Sequence, residues 1–177
     1  ITSLAVDAED NIYVAEWGRI YKFSNAFQWI TDWEVAGSTD DIAVGTDGYL
    51  YAVKGNSDFP VSRFTTAGVH VAELGIWSDE IGQGHFRGVS GVGVDTQGFV
   101  YVLDDTGWNN GVQKLTANGE FVMRWASGGR DDAQLSLPRG LAIDSANNLY
   151  VSDAGSSRIK KFSSAGAFIL QWGSAGS

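Results

Sequence analysis

Leu141–Gly173 reads LAIDSANNLYVSDAGSSRIKKFSSAGAFILQWG. Short apolar runs alternate in it with clusters of Asp, Asn, Ser and Gly. Those polar residues accept left-handed backbone angles and cap turns with their own side chains, so each cluster marks a reversal of the chain. Four runs of strand length between three reversals predict a four-stranded antiparallel unit: a short first strand at 140–144, a second at 148–152, a third at 158–162, and a fourth ending at Trp172. No segment of the chain holds a helical period and only two prolines occur. The chain reads as all-β.

The same unit recurs upstream. Leu4-Ala5-Val6-Asp7, Asp41-Ile42-Ala43-Val44, Gly91-Val92-Gly93-Val94-Asp95 and Leu141-Ala142-Ile143-Asp144 align on Val6, Val44, Val94 and Ile143, in steps of 38, 50 and 49 residues. Seven residues after each anchor stands a tyrosine: Tyr13, Tyr51, Tyr101 and Tyr150. Phe23, Phe64, Leu115 and Phe162 close the third run, each followed ten residues later by Trp33, Leu74, Trp125 or Trp172. A repeat of about 46 residues holding four strands is the signature of a propeller blade. The reading is a β-propeller of about four four-stranded antiparallel blades, bounded near 1–37, 38–88, 89–139 and 140–177 as a single or partial propeller domain.

Within a blade each slot has a physical reason. The penultimate residue of the first strand is tiny (Ala5, Ala43, Gly93, Ala142), as suits a strand wedged near the propeller axis. Asp7, Asp95 and Asp144 open turns. The second strands are apolar on both faces, as expected between two covering neighbours. The third strands alternate, which predicts one wet face.

These residues resemble the NHL repeat. The opening of that repeat is matched by Leu135-Ser136-Leu137-Pro138-Arg139-Gly140-Leu141-Ala142-Ile143-Asp144, its middle by Asn148–Asp153 and Arg158–Phe162, and its close by Gly166-Ala167-Phe168 through Trp172-Gly173. The second unit departs most, with Lys54 in place of the strand-ending acid and Pro60 in place of the Arg. The first lacks the hairpin glycine, a role assigned to Asn25. Propellers of this family typically close with six blades. The resemblance therefore leaves three readings open: a segment of a longer propeller, several copies completing one ring, or a four-bladed ring. A chain starting at Ile1 is read as processed or as a segment of something longer.

Composition narrows the function. Net charge is −9, from 21 acidic and 12 basic side chains, and that sign repels phosphate backbones and anionic lipid. Nucleic acid and membrane insertion are not expected. With no cysteine, disulfides, thiolate metal sites and cysteine nucleophiles are absent. Only His70 and His85 occur, on an outermost strand and in a linker, so a three-histidine zinc centre is not expected. Motifs for serine nucleophiles, phosphate loops and zinc-protease helices are also absent.

Ligands of propellers usually bind at one mouth of the channel, here built from the loops between second and third strands and the linkers bearing Asp40, Asp41, Arg87 and Arg139. The longest such loop, 104–110, joins two carboxylates, two amides and an indole. Asp104, Asp105, Trp108, Asn109, Trp17 and Asp153 are the candidate ligand-binding residues, with Trp108 as an apolar anchor. No catalytic set and no cofactor are assigned; Asp104, Asn109 and Asp153 are oxygen donors of a type that suits Ca²⁺. The acidic pairs at 40–41, 104–105 and 131–132 are read as solvated charge. The expectation is a non-enzymatic scaffold for a protein, peptide or glycan, requiring further blades or another copy to close the ring, in a secreted or cell-envelope setting. The alternative is part of a propeller hydrolase or lyase whose other residues lie outside the chain.

Overall fold

The computed structural model describes residues 1–55, 58–78, 83–106 and 110–174. The first blade is β1 (Ser3–Val6), β2 (Ile12–Glu16), β3 (Arg19–Phe23) and β4 (Trp29–Glu34); the second is β5 (Ser38–Val44), β6 (Tyr49–Gly55), β7 (Val61–Thr65) and β8 (His70–Leu74). A linker with β9 (Ile76–Trp77) and β10 (His85–Phe86) leads to the third blade, β11 (Val89–Val94), β12 (Val100–Asp104), β13 (Gly111–Leu115) and β14 (Phe121–Trp125). The fourth is β15 (Pro138–Ile143), β16 (Leu149–Asp153), β17 (Arg158–Phe162) and β18 (Phe168–Trp172). Each blade is a four-stranded antiparallel meander in chain order. The expected four blades are thus present. The last one starts at Pro138, two residues before the boundary read from the repeat.

The turn between first and second strands is organised by one carboxylate. Asp144 Oδ1 accepts the backbone N–H groups of Ala146 (3.0 Å) and Asn148 (2.8 Å), while Oδ2 accepts the Tyr150 hydroxyl at 2.9 Å. Asp7 and Tyr13 repeat this at 2.9 Å, as do Asp95 and Tyr101 at 2.8 Å. The repeat tyrosine is therefore the hydroxyl partner of the turn-opening aspartate. In the second blade Gly45 replaces the acid, and Asp47 takes over, accepting from Tyr51 at 2.7 Å. A Cβ on Gly45 would stand 2.3 Å from Asp47 Oδ1, so the glycine makes room for the displaced carboxylate.

A cation from the third strand completes the arrangement. Lys114 Nζ lies 3.6 Å from Asp95 and 3.9 Å from the centre of the Phe99 ring; Lys161 lies 3.3 Å from Asp144 and 4.6 Å from the Tyr150 ring. This corrects the expectation of a wet face on every third strand. All five residues of β13 are buried, Gln113 and Lys114 included. Gln113 is held by the Gly84 N–H and the His85 carbonyl, so linker backbone covers one face, while Asp95 and the Phe99 ring meet Lys114 on the other.

Blades pack face to face in chain order, giving three apolar clusters. Tyr13, Ala15, Ile20 and Val35 meet Ile42, Leu50, Ala52 and Phe64 between the first two. Val53, Val61, Leu74 and Phe86 meet Val92, Val100 and Leu115 between the second and third. Leu103, Val112, Ala126 and Leu135 meet Leu149, Val151 and Phe162 between the third and fourth. Second strands are buried throughout only in the middle: β12 is fully buried, whereas β2 and β16 alternate because one face of each end blade has no neighbour. Trp33, Trp125 and Trp172 each lie edge-on to their blade's tyrosine, centroids 6.3, 5.9 and 6.0 Å apart, an arrangement that contributes about 1 kcal/mol beyond area burial.

The closing residue of each blade also abuts the next blade's hairpin. Cβ atoms placed on Gly68 and Gly166 would come within 2.7 and 2.8 Å of Trp33 and Trp125, and one on Gly119 within 3.1 Å of Leu74. All three glycines have φ near +80 to +90° and donate to the residue three before. In the first hairpin that place belongs to Phe27, with φ of 58° and its N–H donating to Ser24. This corrects the assignment of Asn25, because the hydrogen-bond register puts the left-handed residue third after the turn's acceptor.

Candidate ligand site at the channel mouth

Inner strands β5, β11 and β15 each break register once, leaving Asp40, Ser90 and Arg139 as bulged residues at equivalent places. A bulge re-aims its side chain out of the ladder. Arg139 meets Asp105 at 3.2 Å, and Asp40 is repelled by the same Asp105, so Asp40, Asp105 and Arg139 form a charged row across blades two to four. Burial raises the Asp40 carboxyl above its ordinary value, opposed by a hydrogen bond from the Gly55 backbone and assisted by Asp105.

Asp41 sits one residue deeper. Its Oδ1 accepts the Ser3 hydroxyl at 2.6 Å and the Ile42 N–H at 2.9 Å, and its Oδ2 accepts the Val92 N–H at 3.0 Å. One carboxylate thus ties the inner strands of three blades. Burial pushes its pKa up despite those bonds. Solvated charge is the wrong description of Asp41, because the inner strands converge on its side chain. The pair Asp131 and Asp132 is exposed, as read. A groove of about 220 Å³ runs past Asp41 along all four inner strands, lined by Leu4, Val44, Gly93 and Ala142 among others.

The sequence candidates fall into distinct environments. Trp17 tops the β2–β3 turn with φ of 47° and is 87% exposed. Asp104 is fully buried; it accepts the Thr106 hydroxyl at 2.7 Å and feels Arg124, and burial raises its pKa. Asp104 too is therefore no solvated charge. Asp153 is equally buried, accepting from the Ser136 N–H and the Ser156 hydroxyl, both at 2.6 Å, with Lys160 Nζ at 3.1 Å. Lys160 also donates to the carbonyls of Asp131 and Gln134, so this buried pair fastens the 126–137 linker to its blade. Asp105 is the candidate that joins the charged row. Trp108 and Asn109 lie outside the described residues, and with Asn109 one of the three suggested calcium donors.

Asn110 was absent from the sequence candidates. It ends the candidate loop, lines a cleft of about 410 Å³ with Gly128, Gly129, Arg130, Leu135, Ser136 and Leu137, and buries a side-chain oxygen that has no hydrogen-bond partner among the described residues. Its place at the end of a long Asp- and Asn-rich loop was the only signal; the cleft's other wall comes from a linker far away in sequence. Among the described residues no three His, Cys, Asp or Glu side chains cluster as metal ligands, and no helix is long and apolar enough to cross a membrane.

A model of the NHL repeat matches residues 135–162. NHL repeat-containing protein 3 of Homo sapiens is 35% identical over 72 residues, and that of Mus musculus 32%. The match covers 39% of this chain and 20% of each relative's length. Among solved structures, virginiamycin B lyase from Staphylococcus aureus superposes on 99% of this chain and 56% of its own with a TM-score of 0.71 at 14% identity. A streptogramin B lyase gives 0.74 at 12% identity over 98% and 54% of the two chains. A gluconolactonase from Xanthomonas campestris gives 0.70 at 16% over 98% and 62%. The chain thus spans little more than half the length of these structures, and identities this low speak for the fold alone. The stretch matching the family model runs from the buried linker residue Leu135 to Phe162 at the end of the third strand, the part of blade four whose packing the other blades repeat. This chain is a run of four β-propeller blades, and its fourth blade matches the NHL repeat.

Proposed function

We propose that the chain is a non-enzymatic binding scaffold whose ligand, a protein, peptide or glycan, enters at the channel mouth beside the 104–110 loop. The observation that carries this reading is the cleft of about 410 Å³ in which Asn110 buries an amide oxygen with no partner among the described residues. An acceptor left without a partner costs about 1–3 kcal/mol in a buried setting, a cost that a ligand donor would relieve. Exposed Trp17 adds an aromatic surface on the same side of the blades, the side of the loops between second and third strands. Asp104 and Asp153 are internal ties at the edge of this site, their oxygens held by Thr106, Ser136, Ser156 and Lys160. A secreted or envelope setting fits the cysteine-free, acidic composition.

The second reading is a segment of a propeller lyase or hydrolase. It is favoured by Asp41, a carboxyl of raised pKa on the axial groove, and by the likeness in fold to the lyases and the gluconolactonase. Screening the chain against peptide and glycan arrays, followed by calorimetry on the best binder, tests the proposal. Asn110→Ala and Arg130→Ala should each weaken that binder at least tenfold with the thermal midpoint held within a few degrees. Unchanged affinity in both variants would remove the cleft from the site.

A further inference from the structure

Three places in the chain set glycine directly after an asparagine or aspartate: Asp47-Gly48, Asn110-Gly111 and Asn118-Gly119. That pairing is chemically reactive. Glycine has no Cβ to hinder the approach of its backbone nitrogen to the preceding side chain's carbonyl carbon, and it leaves the backbone between them free to rotate. The fold gives the three pairs different surroundings.

Asp47 is held on both oxygens. Its Oδ2 accepts the Tyr51 hydroxyl at 2.7 Å and its Oδ1 the Tyr49 N–H at 3.2 Å. Asn110 is 3% exposed, its backbone carbonyl accepts from Arg124 at 3.3 Å, and Gly111 pairs with Asp104 as the first residue of β13. Rotating that peptide would unpair a strand in the middle of a blade.

Asn118 has neither restraint. It is exposed, and its side-chain amide makes no hydrogen bond among the described residues. It is the third residue of the turn Thr116–Gly119, at the tip of the hairpin joining β13 to β14, on the opposite side of the blades from the 104–110 loop. The Gly119 N–H donates to the Thr116 carbonyl at 2.9 Å. That bond restrains the nitrogen, so reaction awaits opening of the turn. An exposed hairpin tip opens locally at far lower cost than the strand pair that holds Gly111.

We propose that Asn118 is a site of spontaneous deamidation through a cyclic imide formed with Gly119, and that the fold holds Asp47 and Asn110 back from the same chemistry. The Gly119 backbone nitrogen gives its proton to solvent base and bonds to Asn118 Cγ. The Cγ–Nδ2 bond breaks and ammonia leaves. Water then opens the imide at one of its two carbonyl carbons. Cleavage between Cγ and the Gly119 nitrogen gives aspartate; cleavage between the main-chain carbonyl carbon and that nitrogen gives isoaspartate, with the main chain now running through Cβ and Cγ.

The two products differ at the interface of blades two and three. Gly119 lies against Leu74, where a Cβ would stand 3.1 Å from Cδ2, and the Ala117 carbonyl accepts from Arg63 of the second blade. Isoaspartate adds one main-chain atom between these two anchors, whereas aspartate leaves the hairpin's length unchanged. The isoaspartyl form therefore loosens blade two from blade three, and the aspartyl form does not.

The test ages the full chain in warm, mildly alkaline buffer and maps its peptides by mass spectrometry, with isoaspartate read by protein isoaspartyl methyltransferase. Peptides spanning Asn118 should gain about one dalton, as –NH₂ gives way to –OH. Their rate should exceed that of peptides spanning Asn110 by at least about tenfold in the folded chain, and the two should converge in urea, where no fold separates them. Asn118→Gln should remove the methyltransferase signal from this hairpin. Comparable rates at both asparagines in the folded chain, no gain at Asn118 over the time in which the urea-unfolded chain is converted, or a signal that persists in Asn118→Gln would overturn the site. The isoaspartyl fraction of the aged chain should melt below Asn118→Asp; equal midpoints would overturn the link to Leu74.

Discussion

Lys54 and Glu73 form an ion pair inside the second blade, Nζ to Oε2 at 3.0 Å, with the charges reversed relative to the third blade, where the matching places hold Asp104 and Arg124. Lys54 is 2% exposed, and the Ser62 hydroxyl also donates to Glu73 at 2.9 Å. The departure of the second unit from its repeat is thus a compensated exchange. Glu73→Gln leaves an ammonium buried without its counter-charge and should destabilise the chain by about 3 kcal/mol. Lys54→Met combined with Glu73→Leu should recover most of that loss, since a packed apolar pair serves as well as an ionic one. Urea unfolding of the two variants and the parent decides it.

Tyr101 and Asp95 are both buried, and the phenol is the donor that satisfies Oδ2. Burial, followed by that hydrogen bond, pushes the Tyr101 pKa up, so it stays a donor at any pH the protein meets. Tyr101→Phe should cost about 2 kcal/mol, because the carboxylate loses a charge-assisted bond in a dry place. Tyr150→Phe, on the uncovered face of blade four, should cost less. Thermal unfolding of both variants gives the order.

Gly166 and Gly98 share a left-handed φ, 78° and 84°, but only Gly166 has a neighbour where its Cβ would be. Alanine at Gly98 should cost about 1 kcal/mol, the strain of the backbone alone. At Gly166 the methyl also meets Trp125 at 2.8 Å, adding about 1–3 kcal/mol of overpacking. The difference between the two variants in urea unfolding measures the interblade contact.

How much of this was legible in the sequence follows from which contacts are local. Tyr13, Tyr51, Tyr101 and Tyr150 fall at a fixed distance from their anchors because turn and strand lengths are fixed within a blade, and that spacing carries the fold. The Asp that opens each turn was legible too, but its bond to the tyrosine was not, and Asp47 in the second blade hides the pattern by moving two residues along. Contacts between blades left weaker traces. Gln113 looks like part of a wet face until the linker covers it, and Ile76–Trp77 pairs with His85–Phe86 in that linker through strands of two residues. At the mouth, Asp104 and Asp153 stand out in the sequence as charges, yet in the structure Thr106, Ser156 and Lys160 take up their oxygens. Asp41 and Asn110 acquire their roles from strands and linkers distant in sequence.

Asp144 supplies the acid limb of stability. Hydrogen bonds from Asn148, then from Tyr150 and Lys161, hold its carboxyl well below the ordinary value of 3.8. Asp7 is also lowered, burial being outweighed by bonds from Asn11, Tyr13 and Glu9. Below about pH 4 the unfolded chain binds protons at these positions that the folded chain refuses, so stability falls as pH drops through that window and is fully present above it. Asp40, Asp41 and Asp104 act in the opposite sense. Burial raises their folded pKa values, so protonating them as pH falls favours the folded state. The parent's acid limb is the difference of the two groups, and a variant isolates one of them. Asp144→Asn keeps a turn-capping oxygen but cannot titrate. Urea midpoints followed from about pH 7 down to about pH 2 should converge for parent and variant at the acid end and separate above about pH 4, the parent being the more stable. A constant separation across the whole range would mean that Asp144 acts through shape rather than charge.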